Sequence, residues 1–160
     1  MDFKENIMVS IVIPCRNEEK FIGRCLDSII ANDYPHERLE VLIVDGMSED
    51  GTRRIVGEYV KRCPFMRLLN NAEKITPTAL NIGIKNARGD IIIRMDAHSE
   101  YFSDYIKETI LCLNETGADN VGGIRITKPG EDTFTAALIA LVTSCPFGVG
   151  GSKYRFSRES

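Results

Sequence analysis

No stretch of this 160-residue chain carries a run of like charge, and none stays apolar for long. Its longest apolar segment, residues 134–142, falls far short of the roughly 20 residues a spanning helix needs, so no membrane span is expected. The N-terminal MDFKENIMVS contains acids and no apolar core, unlike a signal peptide. A net charge of -3 and an isoelectric point near 5.5 exclude the basic face of a usual nucleic-acid binder. One localised phosphate site stays compatible with that balance.

Other signatures are missing too. The five cysteines (Cys15, Cys25, Cys63, Cys112, Cys145) are odd in number and form no CxxC pair. Neither a disulfide framework nor a zinc knuckle follows, and reduced thiols in a cytoplasmic setting are expected. Neither GxGxxG nor GxxxxGK[ST] occurs, so the dinucleotide and P-loop fingerprints are absent. Internal repeats, low-complexity tracts and linkers are lacking as well. A 43% hydrophobic content over this length suits one domain, residues 1–160, with a real core.

What is present alternates between two periods. Residues 8–13 (MVSIVI) form a short apolar, β-branched run ended by Pro14, the pattern of a buried strand. Residues 19–30 place apolar side chains at helical spacing. A second buried strand covers residues 39–44, closed by Asp45-Gly46, and a helix covers 52–60 with Ser48 or Asp50 as its cap. Residues 66–69 make a third strand. Thr76-Pro77 supplies a cap and a first-turn proline for a helix to about Ala87. Strand four is expected over 91–95, a helix from Ser103-Asp104 to about Asn114, strand five over 121–127 and a last helix over 132–143. Residues 147–155 are glycine-rich and read as a loop. Such alternation implies an α/β architecture, a mainly parallel sheet covered by helices on both faces.

Ligands of such sheets bind beyond the carboxyl ends of the strands. Arg16, Asn17, Glu18, Asp45, Asn71, Asp96 and His98 all follow strand ends, and should converge on one edge. Asp96 and His98 are two apart, so in an extended segment they point to one side. A carboxylate and an imidazole so placed can hold a divalent cation and leave positions open for ligand oxygens. Such a cation neutralises the charge that builds on a departing diphosphate. Asp45 can accept a hydrogen bond from a base N–H or a ribose hydroxyl, while Asp50 caps the next helix. Pro14 stops strand pairing and frees the following residues to form a pocket wall. Arg16 and Lys74 are the cations nearest this site, and either can contact phosphate. Glu18 serves equally as a first-turn acid favoured by the helix dipole.

Taken together, Val-Ile-Pro14-Cys-Arg-Asn17-Glu18, Asp45-Gly-Met-Ser48-Glu-Asp50-Gly51-Thr52, Ala79-Leu80-Asn81-Ile-Gly83, Ala87-Arg-Gly89-Asp90 and Arg94-Met-Asp96-Ala-His98 resemble a family 2 glycosyltransferase with the GT-A fold. Gly122-Gly123 and the glycine-rich tail further resemble the succinoglycan-biosynthesis glucosyltransferase branch. The resemblance implies a Rossmann-like α/β/α domain and inverting transfer from a nucleotide-diphosphate sugar, usually a UDP-sugar. It places Asp45 at the uracil base, with Pro14, Glu18 and Asn71 around the nucleoside, and extends the donor site to Arg16, Lys74 and Asn81. Asp96 and His98 fall on the family's DxD positions, which hold ribose and the metal-bound diphosphate. Histidine for the second aspartate is a departure that favours Mn²⁺ over Mg²⁺, since imidazole is the softer ligand.

The resemblance also implies an acidic general base beyond Ser160, in an acceptor-binding half that this chain does not reach; Glu131-Asp132 comes too early for it. The acceptor would be a saccharide or a lipid-linked saccharide, and the longer protein would continue into membrane-associated helices at the inner face of the membrane. A noncatalytic nucleotide-binding or assembly module, dimerising through apolar surface near residues 134–147, is the alternative. A sugar-phosphate nucleotidyltransferase would want glycines directly after strand one, and Pro14-Cys-Arg-Asn-Glu18 has none.

Overall fold

The apolar run ending at Pro14-Cys15 becomes the middle of a sheet. The structure is a computed structural model and describes residues 7–123, 126, 127, 129 and 133–144. The chain divides into two compact units, Met1–Leu111 and Cys112–Ser160. In the first, β1 (Val9–Cys15), β2 (Leu39–Asp45), β3 (Met66–Asn70) and β4 (Ile91–Arg94) pair in parallel in the order β3-β2-β1-β4. Between them run α1 (Ile22–Ile30), α2 (Thr52–Arg62) and α3 (Thr76–Asn86), and after β4 comes α4 (Tyr105–Thr116).

Period-two alternation splits the core between the sheet's two faces. Val9, Ile11, Ile13, Val41 and Ile43 pack with Ile22, Leu26 and Ile29 of α1, Val56 of α2, and Ile106 and Ile110 of α4. Val12, Leu42 and Val44 face the other way, onto Ala79 of α3. Gly83 lets α3 approach closely, since a Cβ there would lie 2.2 Å from Val12 Cγ1. Helices thus cover both faces of an all-parallel sheet, as the alternation implied.

Several boundaries differ from the sequence reading. The helix expected from residue 19 begins at Ile22, because Glu19 is engaged elsewhere: its N–H donates to Asp50 Oδ2 (3.1 Å) and its carboxylate accepts from Gly51 N (2.7 Å). Thr76 is not the cap of α3. Extended Ile75 holds that position without a side-chain cap, and Thr76 is the first helical residue. β4 stops at Arg94, since Asp96 N–H donates to the Tyr101 hydroxyl (2.7 Å) rather than to a strand. Residues 121–123 and 126–127 form no strand; Gly122 and Gly123 are exposed there and have no side chain to pack. The last helix, α5, is Phe134–Ser144; Asp132, where its start was expected, and the loop 147–155 lie outside the described residues. On α5, Phe134, Ile139 and Leu141 are exposed. No helix among the described residues is long and apolar enough to cross a membrane.

Candidate functional site

Each of the first three strands is followed by a residue with left-handed backbone: Asn17 (φ 56°), Met47 (φ 56°) and Lys74 (φ 61°). Asparagine tolerates this region, whereas methionine and lysine occupy it rarely. The first two loops lock together. Asn17 N donates to Ser48 Oγ (2.9 Å), Glu49 N to Asn17 Oδ1 (2.9 Å), and Glu18 N to Thr52 Oγ1 (2.8 Å). Asp50 accepts from Thr52 N (3.0 Å), but the N-cap of α2 is Gly51, without a side-chain cap, so neither Ser48 nor Asp50 holds the capping position expected of them. Slight burial works against its charge, but the hydrogen bonds from Thr52 and Glu19 hold the Asp50 carboxyl below the usual carboxylate range.

Asp45, at the end of β2, is fully buried. Its carboxylate accepts from Ser48 N (3.1 Å), from the Ser48 hydroxyl and from the Arg53 guanidinium. It therefore braces the turn from behind and does not line the cleft. Arg53 was not singled out in the sequence, because a helical arginine eight residues on gives no local signal.

The cleft itself lies at the carboxyl ends of the strands and has a volume of about 200 Å³. Pro14 near the end of β1, Arg16 and Glu18 after it, Asn71 and Lys74 after β3, and Asp96 and His98 after β4 all line it. Seven sequence-derived candidates thus meet in one place. Asn81 does not join them; it sits exposed on α3, beyond Ala79, which does line the wall. Cys15, Gly46, Ile75, Thr76, Arg94 and Ala97 also line it and were not expected there. Arg94 had a legible signal, because it lies two residues before Asp96 and so on the same side of the segment.

Arg16 aside, charge in the cleft is arranged in pairs. Arg94 Nη2 lies 2.9 Å from Asp96 Oδ1, His98 Nδ1 lies 3.3 Å from Glu18 Oε1, and Lys74 Nζ lies 3.7 Å from Glu49 Oε1. Asn71 is 1% exposed; its amide nitrogen donates to Ile75 O (2.9 Å), while its Oδ1 has no partner. A buried acceptor without a donor is costly, so a ligand N–H or O–H that supplied one would be favoured. Beneath the cleft, burial and then the neighbouring Asp45 and Glu18 push the Cys15 thiol up to about 12. Burial and then Asp96 do the same for Cys25, whose pKa is also about 12. Both stay protonated at neutral pH and act as small apolar packing.

Comparison with known proteins identifies the family. The profile described as "Glycosyl transferase family 2" matches residues 10–155. The chain belongs to glycosyltransferase family 2. Curated members include a dolichyl N-acetyl-α-D-glucosaminyl phosphate 3-β-D-2,3-diacetamido-2,3-dideoxy-β-D-glucuronosyltransferase of Methanococcus voltae, 36% identical over 94% of this chain and 48% of that protein. The succinoglycan biosynthesis protein ExoA of Rhizobium meliloti is 35% identical over 91% of this chain and 44% of its own length. The chain therefore spans about half the length of these family 2 relatives. Among solved structures, the mannosyltransferase PcManGT from Pyrobaculum calidifontis, in complex with GDP-Man and Mn²⁺, superposes with a TM-score of 0.67 at 27% identity. It is matched over 87% of this chain and 41% of its own. TarS of S. aureus superposes with a TM-score of 0.65 at 23% identity over 78% of this chain and 40% of its own, which supports the GT-A fold alone.

Proposed function

We propose that this chain is the donor-binding part of a glycosyltransferase that takes a UDP-sugar together with a divalent cation for inverting transfer in polysaccharide assembly. The observation that carries the reading is the strand-end cleft that gathers the buried, unpartnered Asn71 acceptor with Glu18, Asp96 and His98. Asn71 Oδ1 suits a base or ribose donor, and Pro14 and Ile75 offer apolar wall. Support for a nucleotide sugar comes from PcManGT in complex with GDP-Man.

The donor set fits a cation. Asp96 would offer a carboxylate oxygen and His98 its Nε2, since Glu18 has taken Nδ1. A carboxylate on the far nitrogen is how ligating histidines are commonly oriented. Among the described residues no group of three or more His, Cys, Asp or Glu is assembled for a metal. Asp96 and His98 would hold the cation and would leave its other positions open to ligand oxygens, and an oxygen–imidazole pair would suit Mn²⁺ better than Mg²⁺. When bound, the cation would neutralise charge on the leaving diphosphate. The chain's own residues hold the nucleoside, fix the cation's ligands and exclude water from the floor of the cleft.

The acceptor site and its acidic base belong, in this reading, to sequence beyond Ser160, with a saccharide or lipid-linked saccharide as acceptor. Calorimetric titration of UDP with Mn²⁺ present, then chelated, tests it. Metal-dependent binding that weakens in Asp96→Ala or His98→Ala supports the donor site; no binding in either condition overturns it. A second reading, an assembly module, draws on the exposed apolar side chains of α5. A monomer in sedimentation at all concentrations would remove it.

A further inference from the structure

We infer that Arg94 is a resident counter-ion of Asp96, displaced by the incoming cation and then taken over by the nucleotide's diphosphate. The inference rests on the donor-site reading above. Arg94 is the last residue of β4 and Asp96 lies two further on, so both side chains leave the same side of the segment. Nη2 sits 2.9 Å from Oδ1, with the two side chains 58% and 41% exposed. Of the cleft's cations, Lys74 leans towards Glu49 on the neighbouring loop. Arg94 instead rests on the very carboxylate that a cation would need.

Two positive groups cannot share one carboxylate at close range without repulsion. An exposed pair of this kind favours its partner by no more than about fivefold, so a divalent ion displaces it readily. The freed guanidinium stays in the cleft, because its stem is fixed on β4 and β4 is paired to β1. Its rigid fork of donors matches the oxygens of a diphosphate, a match that the single ammonium of lysine lacks. One side chain then serves two states: it balances Asp96 in the unloaded cleft and adds positive charge beside the diphosphate in the loaded one.

Opposite signs follow for the two ligands. In the full chain, Arg94→Met should bind Mn²⁺ alone about threefold more tightly, since the competing cation is gone. With Mn²⁺ saturating, the same variant should bind UDP about tenfold more weakly, the loss of a charge-assisted contact. Free Mn²⁺ is followed by its paramagnetic resonance signal and UDP by calorimetry. Tighter Mn²⁺ with weaker UDP supports the inference, and any other pairing overturns it. Arg94→Lys keeps the charge but not the fork, so its UDP affinity should fall between the two; UDP affinity equal to the parent overturns the fork's role, and decides the matter if Arg94→Met does not fold. A parent chain that binds neither ligand overturns this inference and the donor-site reading together. A parent that binds both, with Arg94 variants that shift neither, overturns the Arg94 assignment alone.

Discussion

The two ends of the sheet bury polar groups to opposite effect. At the amino ends of the strands, Ser10 Oγ donates to Glu40 Oε1 (2.7 Å) and accepts from Gly89 N (2.7 Å). Arg88 N donates to the same Glu40 oxygen (2.5 Å), and Arg67 Nη1 stands 3.6 Å from Oε2. That network ties β1, β2, β3 and the entry to β4 into one unit, although Arg67 Nη1 is held there by charge alone and, like Asn71 Oδ1, is buried without a hydrogen-bond partner. At the carboxyl ends the polar groups surround a cleft, their pairs are exposed, and the Asn71 acceptor is unanswered. Buried polarity that closes on itself stabilises the fold; polarity left open is available to a ligand.

Glu40 gives the sharpest way to break that comparison. Glu40→Ala leaves Arg67, Arg88 N and the Ser10 hydroxyl without their shared acceptor, and should cost about 3 kcal/mol in urea unfolding. Asp96→Ala, at the open end, removes a half-exposed carboxylate and should stay within about 0.5 kcal/mol of the parent while UDP binding weakens. If both variants lose stability alike, the division between the ends is wrong. Gly89→Ala comes next. Its Cβ would meet Ser10 N at 2.5 Å and Met8 O at 2.8 Å, both backbone atoms that cannot yield cheaply. Overpacking of this kind should cost about 2 kcal/mol, read from the same urea midpoint.

Alkali probes the open end from below. In the unfolded chain the Cys15 and Cys25 thiols lose their protons near 9.0, but burial holds them to about 12 in the fold. Because the folded pKa is raised, this contribution is fully present below pH 9 and is lost as pH rises towards 12. Each thiol should remove about 1.4 kcal/mol of stability per pH unit within that window. Tyr59, raised by burial and then by Asp27, works in the same direction. A double Cys15→Ala, Cys25→Ala variant should flatten the slope in urea unfolding between about pH 9 and pH 10. An unchanged slope would show that these thiols do not titrate with unfolding.

How much of this the sequence disclosed depended on whether the signal was local. The four parallel strands were legible because each is a short apolar run closed by a polar strand-end residue, and the rule for strand ends then gathered Arg16, Glu18, Asn71, Asp96 and His98. Asp45 satisfied the same rule and yet lies behind the wall, because Arg53, eight residues on and a turn into α2, captures it. The closed network at the other end was invisible: Ser10, Glu40 and Gly89 meet only once the register of β1 on β2 is set, with Ser10 opposite Glu40. Residues 121–127 carried enough β-branched side chains to suggest a strand, but 121–123, 126 and 127 form none, and residues 124 and 125 lie outside the described residues. Glu19 began a helix by periodicity and lost it to hydrogen bonds with Asp50 and Gly51, a competition no single segment contains.

Met47 offers the smallest and most local test. It holds φ 56° in the loop that Asn17 and Ser48 lock against the first strand's end, and its side chain is 41% exposed. A left-handed conformation disfavours an L side chain by about 1 kcal/mol or more, whereas glycine enters it freely but gives up more chain entropy on folding. Met47→Gly exchanges the first cost for part of the second. With little packing to lose, a net gain of about 0.5 kcal/mol is expected in urea unfolding. The loop's anchors (Ser48 on Asn17, Thr52 on Glu18) do not involve the Met47 side chain, so UDP binding should stay as in the parent. A loss of stability would mean that Met47 packs where the fold places it in solvent. A loss of binding at unchanged stability would mean that the strained loop itself sets the shape of the cleft, and the open end would then depend on backbone geometry as well as on unpaired polar groups.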